Sequence, residues 1–216
     1  ADGIELDIQL SKDGEIVVCH DEMVDRTSNA KGWLKDYTLA ELKEMDFSYQ
    51  FKELGKVSIP TMKEVFELLK PTNLIINIEL KTGIFDYEGI EEKIIALTHA
   101  EGFEDRVIYS SFNHYSIMKI QELDPNAKTA FLYSDGPLDM PLYGYEHHVN
   151  ALHPAAYNLR LPDFMEECNV YHLDVNVWTV NTEEIALMCL KYGVNTLITN
   201  YPDRIKKVIE QYETGI

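Results

Sequence analysis

Positive charge is scarce in this sequence. Lys and Arg number 19 against 37 Asp and Glu over 216 residues, for a net charge of −18. Such a surface repels polyanions, which argues against nucleic acid as a partner and against plain electrostatic docking on anionic lipid. A local patch or a bound cation is still able to attract a single phosphate group. Cysteine is also sparse: Cys19, Cys168 and Cys189 are an odd number with no CxxC spacing. That leaves no basis for a disulfide framework or a zinc knuckle and favours a reducing, cytoplasmic compartment. No apolar run reaches the roughly 18 to 20 residues that a bilayer span needs, so no transmembrane segment is expected. No charged-then-apolar signal opens the chain. Because the sequence starts at Ala1 and runs straight into a strand, an upstream signal peptide stays open.

What the sequence does have is 45% hydrophobic residues, enough to bury one sizeable core, so a single domain over residues 1–216 is expected. Short β-branched or alternating runs recur at Gly3–Leu10, Leu74–Leu80, Arg106–Ser110, Lys128–Tyr133, Val149–Leu152, Asp174–Val180 and Asn195–Thr199. Helical patterns fall between most of them, at Thr61–Leu69, Tyr87–Ala100, His114–Leu123, Leu161–Cys168, Thr182–Lys191 and Pro202–Tyr212. Thr61 with Glu64 three residues on, and Asn181-Thr182, read as helix starts, and Gly193 as a helix stop. This βαβα order predicts an α/β fold with a parallel sheet, open or closed into a barrel. Residues 11–60 are too long a connection for a plain loop. They begin strand-turn-strand around Lys12-Asp13-Gly14 and Glu15–Cys19, include a short helix at Thr38–Met45, and read as a small insertion over one mouth of the barrel. Ser134–Tyr145, with Gly136, Pro137 and Pro141, reads as a loop.

The chemistry concentrates on two strands. In Ile4-Glu5-Leu6-Asp7-Ile8 the side chains alternate between faces, so Glu5 and Asp7 share one face. Asn77, Glu79 and Lys81 repeat the pattern, with Ile76, Ile78 and Leu80 behind them. A wet face of an antiparallel sheet explains either strand taken alone. In a parallel α/β chain both faces are normally covered, so polar residues there need a reason. Three acids near a strand mouth suit a hard cation such as Ca²⁺ or Mg²⁺. His20, where a strand runs into a loop, is either simply solvated or an acid/base group. Lys81 is either a salt-bridge partner of Glu79 or a stabiliser of phosphoryl oxygens.

Ala1-Asp2-Gly3-Ile4-Glu5-Leu6-Asp7, Lys12-Asp13-Gly14, Val17-Val18-Cys19-His20-Asp21 and Arg26-Thr27 resemble the early motifs of the glycerophosphodiester phosphodiesterases. Ile59-Pro60-Thr61, Ile78-Glu79-Leu80-Lys81, Ser110-Ser111-Phe112, Val177-Trp178-Thr179-Val180-Asn181 and Thr199-Asn200-Tyr201-Pro202 follow in the family's order. The resemblance implies a (β/α)₈ barrel that cleaves glycerophosphodiesters into glycerol 3-phosphate and an alcohol with a divalent cation. It implies Glu5, Asp7 and Glu79 as metal ligands, His20 as one of two acid/base histidines and Lys81 as the phosphate-side lysine. Trp178 matches a pocket-lining position and reads equally as a barrel-filling aromatic, and Phe112 stands between pocket wall and core. His153, placed just after a strand at a barrel mouth, is expected to touch phosphate or water. His147-His148 resembles no motif and reads as surface, and Trp33 as packing within the insertion.

The family's first strand ends in a His-Arg-Gly motif that supplies the second histidine and an arginine. That motif has no counterpart from Ala1 onward, and seven strands fall one short of a barrel of eight. The first βα unit is therefore expected upstream of Ala1. Two other readings stay open: a related barrel phosphodiesterase acting on phospholipid or lysophospholipid, and a non-catalytic relative that binds a phosphorylated ligand. The alcohol of the substrate and the oligomeric state are not legible.

Overall fold

In a computed structural model of the chain, which describes residues 1–215, strands and helices alternate as the periodicity predicts. The chain divides into two compact units. One comprises Asp2–Tyr109 and Lys119–Ala127; the other comprises Ala1, Ser110–Met118 and the chain from Lys128 onward.

The first unit contains strands β1 (Gly3–Leu10) and β2 (Ile16–Val18), helices α1 (Leu39–Glu44) and α2 (Met62–Leu69), strand β3 (Ile75–Leu80) and helix α3 (Ile90–Glu101). β1 pairs with β2 as an antiparallel hairpin, with Ile8 opposite Val18, and with β3 in parallel, with Asp7 opposite Glu79. Parallel pairing settles the ambiguity of the two alternating strands. Leu6, Ile8 and Leu10 are buried on one face with Ile76, Ile78 and Leu80, while Asp7, Gln9 and Glu79 are buried on the other. Helix α2 starts at the expected capping box: Glu64 N–H donates to Thr61 Oγ1, and Thr61 N–H donates to the Glu64 carboxylate at 2.7 Å. Met62, Phe66 and Leu69, spaced for one helix face, are its buried side.

The predicted insertion is ordered by a core of its own. Val17, Cys19, Val24, Leu34, Leu42, Met45 and Ile59 form one buried cluster, flanked by Tyr37 and Phe47. Trp33 corrects its expectation. It packs edge-on against Phe85, beyond β3 and outside the insertion, with ring centroids 5.1 Å apart.

Strand β4 (Val107–Ser111) and helix α4 (His114–Leu123) carry the chain across the boundary between units. The second unit holds β5 (Lys128–Tyr133), α5 (Met140–Glu146), β6 (Ala151–Pro154), α6 (Phe164–Val170), β7 (Asp174–Val177), α7 (Glu183–Tyr192), β8 (Thr196–Leu197) and α8 (Pro202–Thr214). β5 to β8 pair in parallel in sequence order. Thr182 caps α7 by accepting from Ile185 N–H, and Gly193 ends it in the left-handed region at φ 72°. Helix α5 lies where a loop was expected, because Pro141 sits in its first turn, where a missing N–H costs nothing. His147 also departs from a surface position: its ring lies 4.5 Å from that of Tyr143, beside Phe131, while His148 is exposed. Among the described residues no helix is long and apolar enough to cross a membrane.

Leu34 is fully buried in the cluster beneath the insertion. Leu34→Ala is expected to cost about 2–5 kcal/mol in urea unfolding, and a loss under about 1 kcal/mol would mean that this cluster does not hold the insertion.

Candidate active site

The parallel register of β1 and β3 sets Asp7 directly beside Glu79, and Glu5 beside Asn77. Carboxylate oxygens of Glu5, Asp7 and Glu79 all lie within 4.8 Å of one another, and among the described residues they are the group placed to share a metal ion. Lys81 Nζ stands 3.1 Å from Glu79 and 3.6 Å from Asp7. Two like charges about 4 Å apart repel by roughly 4 kcal/mol at an effective dielectric of about 20. One ammonium does not neutralise three carboxylates.

The strain shows in the titration of the acids. Burial, then the charge of Asp7, raises the Glu79 carboxyl well above its usual range, with Lys81 pulling the other way. Desolvation, then Asp7 and Glu79, pushes Glu5 up to about 8. Glu5 is the most open of the three by surface area. Burial works against the Lys81 ammonium, but Glu79 and Asp7 outweigh it and hold its pKa above the ordinary value. Two buried acceptors on this face, Asp7 Oδ1 and Asn77 Oδ1, have no hydrogen-bond donor. An all-oxygen cluster with surplus negative charge and unsatisfied acceptors fits a hard divalent cation.

His20 follows β2 directly and is anchored to β1, since Cys19 N–H donates to the Asp7 carbonyl at 3.0 Å. Its side chain is 65% exposed, with Nδ1 2.6 Å from Asp21 Oδ1. Glu79 feels the imidazole's charge.

These features stand in a recognisable lineage, for residues 1–204 match the model of the glycerophosphoryl diester phosphodiesterase family. The chain belongs to that family. It is 41% identical over 212 residues to a glycerophosphodiester phosphodiesterase of Caldanaerobacter subterraneus, covering 98% of this chain and 87% of that one. A glycerophosphodiester phosphodiesterase of Bacillus altitudinis is also 41% identical, with the same coverage. An Oleispira antarctica phosphodiesterase, solved in complex with the product sn-glycerol-3-phosphate, superposes with a TM-score of 0.84 at 26% identity, covering 97% of this chain and 85% of that one. A glycerophosphoryl diester phosphodiesterase structure from Agrobacterium tumefaciens reaches a TM-score of 0.88 at 22% identity, over 99% and 87% of the two chains, and bears on the fold alone. The family has the (β/α) barrel fold, which this chain shares, and its members are phosphoric diester hydrolases.

The remaining predicted site residues lie in the second unit. Phe112, exposed after β4, meets Trp178 edge-on with centroids 5.5 Å apart. Trp178 follows β7 rather than lying in it, and its Nε1–H donates to the His153 carbonyl at 2.8 Å. His153 lies inside β6, not in the loop beyond it, and is fully buried. Burial drives its imidazole down to about 3, so the ring is neutral, and Asn176 Nδ2 donates to its Nε2 at 2.8 Å. Residues to which the sequence alone assigned no role hold His20: Asp21 at its ring, Arg26 on the Asp21 carboxylate, and Gln9, itself held by Tyr87, on the backbone either side of it. Gln9 had a signal, as the next polar position after Glu5 and Asp7 on a strand face that should be covered.

A carboxyl whose folded pKa is raised stabilises the fold fully below its unfolded value and loses that contribution as pH rises through the folded one. For Glu5 and Glu79 this window runs from about 4.5 to about 8. Neutral His114 and His153, with lowered values, act in the opposite sense up to about 6.5. The difference between proteins isolates the acids: in chelator, Glu79→Gln should gain stability over the wild type progressively from pH 5 to pH 8. Parallel melting curves across that range would contradict the repulsion described for this cluster.

Proposed function

We propose that the protein hydrolyses glycerophosphodiesters to glycerol 3-phosphate and an alcohol, with a divalent cation, Ca²⁺ or Mg²⁺, held by Glu5, Asp7 and Glu79. The observation that carries this reading is the convergence of three carboxylates and Lys81 on one strand pair in a chain of this family. The names of the two relatives at 41% identity and the product in the Oleispira structure support the substrate class.

When bound, the cation neutralises charge on the phosphoryl oxygens. Lys81, already fixed by two carboxylates, adds a charged donor for the same oxygens without having to move. His20 is solvent-accessible and bears a ring nitrogen not engaged by Asp21, which suits proton transfer to or from an oxygen of the diester, the glycerol hydroxyl or water. Within the second unit, Phe112 and Trp178 meet edge-on and the His153 carbonyl accepts from Trp178 Nε1–H, which holds that ring pair in place.

Turnover of glycerophosphocholine or glycerophosphoinositol should vanish on dialysis against a chelator and return with Ca²⁺ or Mg²⁺. His20→Ala should lower turnover by at least about 100-fold while leaving cation affinity nearly unchanged, and normal turnover in that variant removes His20 from the mechanism. Cleavage of lysophospholipids alone, with both glycerophosphodiesters inert, would overturn the substrate class.

A further inference from the structure

His20 is held from two directions by groups with no assigned role. Beneath it, the fully buried Gln9 side chain donates from Nε2 to the carbonyls of Cys19 at 2.8 Å and Asp21 at 2.9 Å, one on each side of His20. Carbonyls only accept, so the amide nitrogen must face them. The Gln9 oxygen then faces Tyr87, whose hydroxyl donates to it at 2.8 Å. The backbone that carries the imidazole is thereby tied to β1, the strand of Glu5 and Asp7.

The ring itself is held by Asp21. His20 Nδ1 lies 2.6 Å from Asp21 Oδ1. Both oxygens of that carboxylate are gripped by Arg26, through Nε at 2.6 Å and Nη2 at 2.7 Å, and the guanidinium lies over the Tyr49 ring at 5.3 Å. This fork-to-fork geometry keeps Asp21 an acceptor only. Hydrogen bonding from Arg26, then from His20, holds its carboxyl down to about 2, in accord with the geometry. Since Asp21 offers no proton, the hydrogen between the two residues belongs to Nδ1. In the neutral ring Nε2 is then the bare nitrogen.

We propose that Asp21, clamped by Arg26, is the positioning residue that fixes His20 as the Nδ1–H tautomer, so that the proton of the reaction is transferred at Nε2. This rests on the reading of His20 as the acid/base group. As an acid, His20 breaks its Nε2–H bond and passes the proton to the alcohol oxygen as the P–O bond breaks, keeping the electron pair on Nε2. As a base, the Nε2 lone pair takes the proton of the attacking hydroxyl as the new O–P bond forms. In both directions Nδ1–H stays on Asp21. The charged groups that act on His20 are Asp21 in contact, Arg26 behind it and Glu79 on β3.

The test is Asp21→Asn. The introduced amide can turn a donor toward Nδ1, which moves the ring proton to Nε2. The ion pair is exposed and contributes little to stability, so the variant should fold. We expect kcat for glycerophosphocholine to fall by about 100-fold or more with KM changed by less than about three-fold. The pH–kcat profile should change shape with the loss of the neighbouring carboxylate. Asp21→Glu should recover part of the rate. Nitrogen-15 shifts of the His20 ring should report Nδ1–H in the wild type and Nε2–H in Asp21→Asn. A wild-type ring protonated at Nε2 overturns the proposal, and that measurement decides alone should the variant not fold. Unchanged kcat and pH profile in Asp21→Asn, alongside an inactive His20→Ala, also overturn it. Full turnover in His20→Ala instead removes the acid/base reading on which the proposal rests.

Discussion

The parallel pairing of β1 with β3 is the constraint on which the acidic site depends. It sets Asp7 opposite Glu79, at a spacing where two carboxylates repel by a few kcal/mol. The same ladder packs Leu6, Ile8 and Leu10 with Ile76, Ile78 and Leu80 on the opposite face. Burying side chains of this kind contributes about 1.5–3 kcal/mol each, so the apolar face outweighs the repulsion and holds the acids where they would not gather by themselves. A slip of one residue in either strand would exchange the faces, sending isoleucines into the site and carboxylates under the helices. The register is therefore over-determined by packing, and the charge cluster is its passenger.

The second fixed point is the hairpin. β2 lies antiparallel to β1, and Cys19 N–H reaches back to the Asp7 carbonyl, so the residue after Cys19 is delivered beside the acids by backbone geometry alone. The long insertion beyond it stays ordered because Val17, Cys19, Leu34 and Leu42 share one buried cluster, which ties strand β2 to the segment that follows. Gln9 joins the two systems. It continues the Glu5–Asp7 row on β1 while spending its hydrogen bonds on the loop that carries His20.

Much of this was legible in the sequence because alternation is a local signal. Glu5, Asp7, Glu79 and Lys81 announce themselves by period two, and α2 and α7 by Thr61, Glu64 and Thr182 at their starts. What escaped depended on partners distant in sequence. Helix α5 was hidden by Pro141 and Gly144, which punctuate most chains. Here Gly144 is closely packed, since a Cβ would come within 3.0 Å of Leu152 and 3.3 Å of Leu173. His153 read as a loop residue because Pro154 signals an end, yet β6 runs through it to that proline. The grip of Tyr87 on Gln9 joins residues 78 positions apart, which no short motif encodes.

Lys81 shows why two readings of one residue need not compete. As a salt-bridge partner it is held at 3.1 Å from Glu79 and is only 13% exposed, so its side chain has already lost most of its freedom. That ordering is what a phosphate-side lysine requires, because a flexible ammonium would have to be immobilised anew with each substrate. The carboxylates keep the ammonium charged despite its burial, and the ammonium in turn lowers the cost of keeping the carboxylates together. Lys81 balances one of three negative charges, so the site keeps both a fixed cation and an unmet demand for another. A purely structural salt bridge would carry no such surplus.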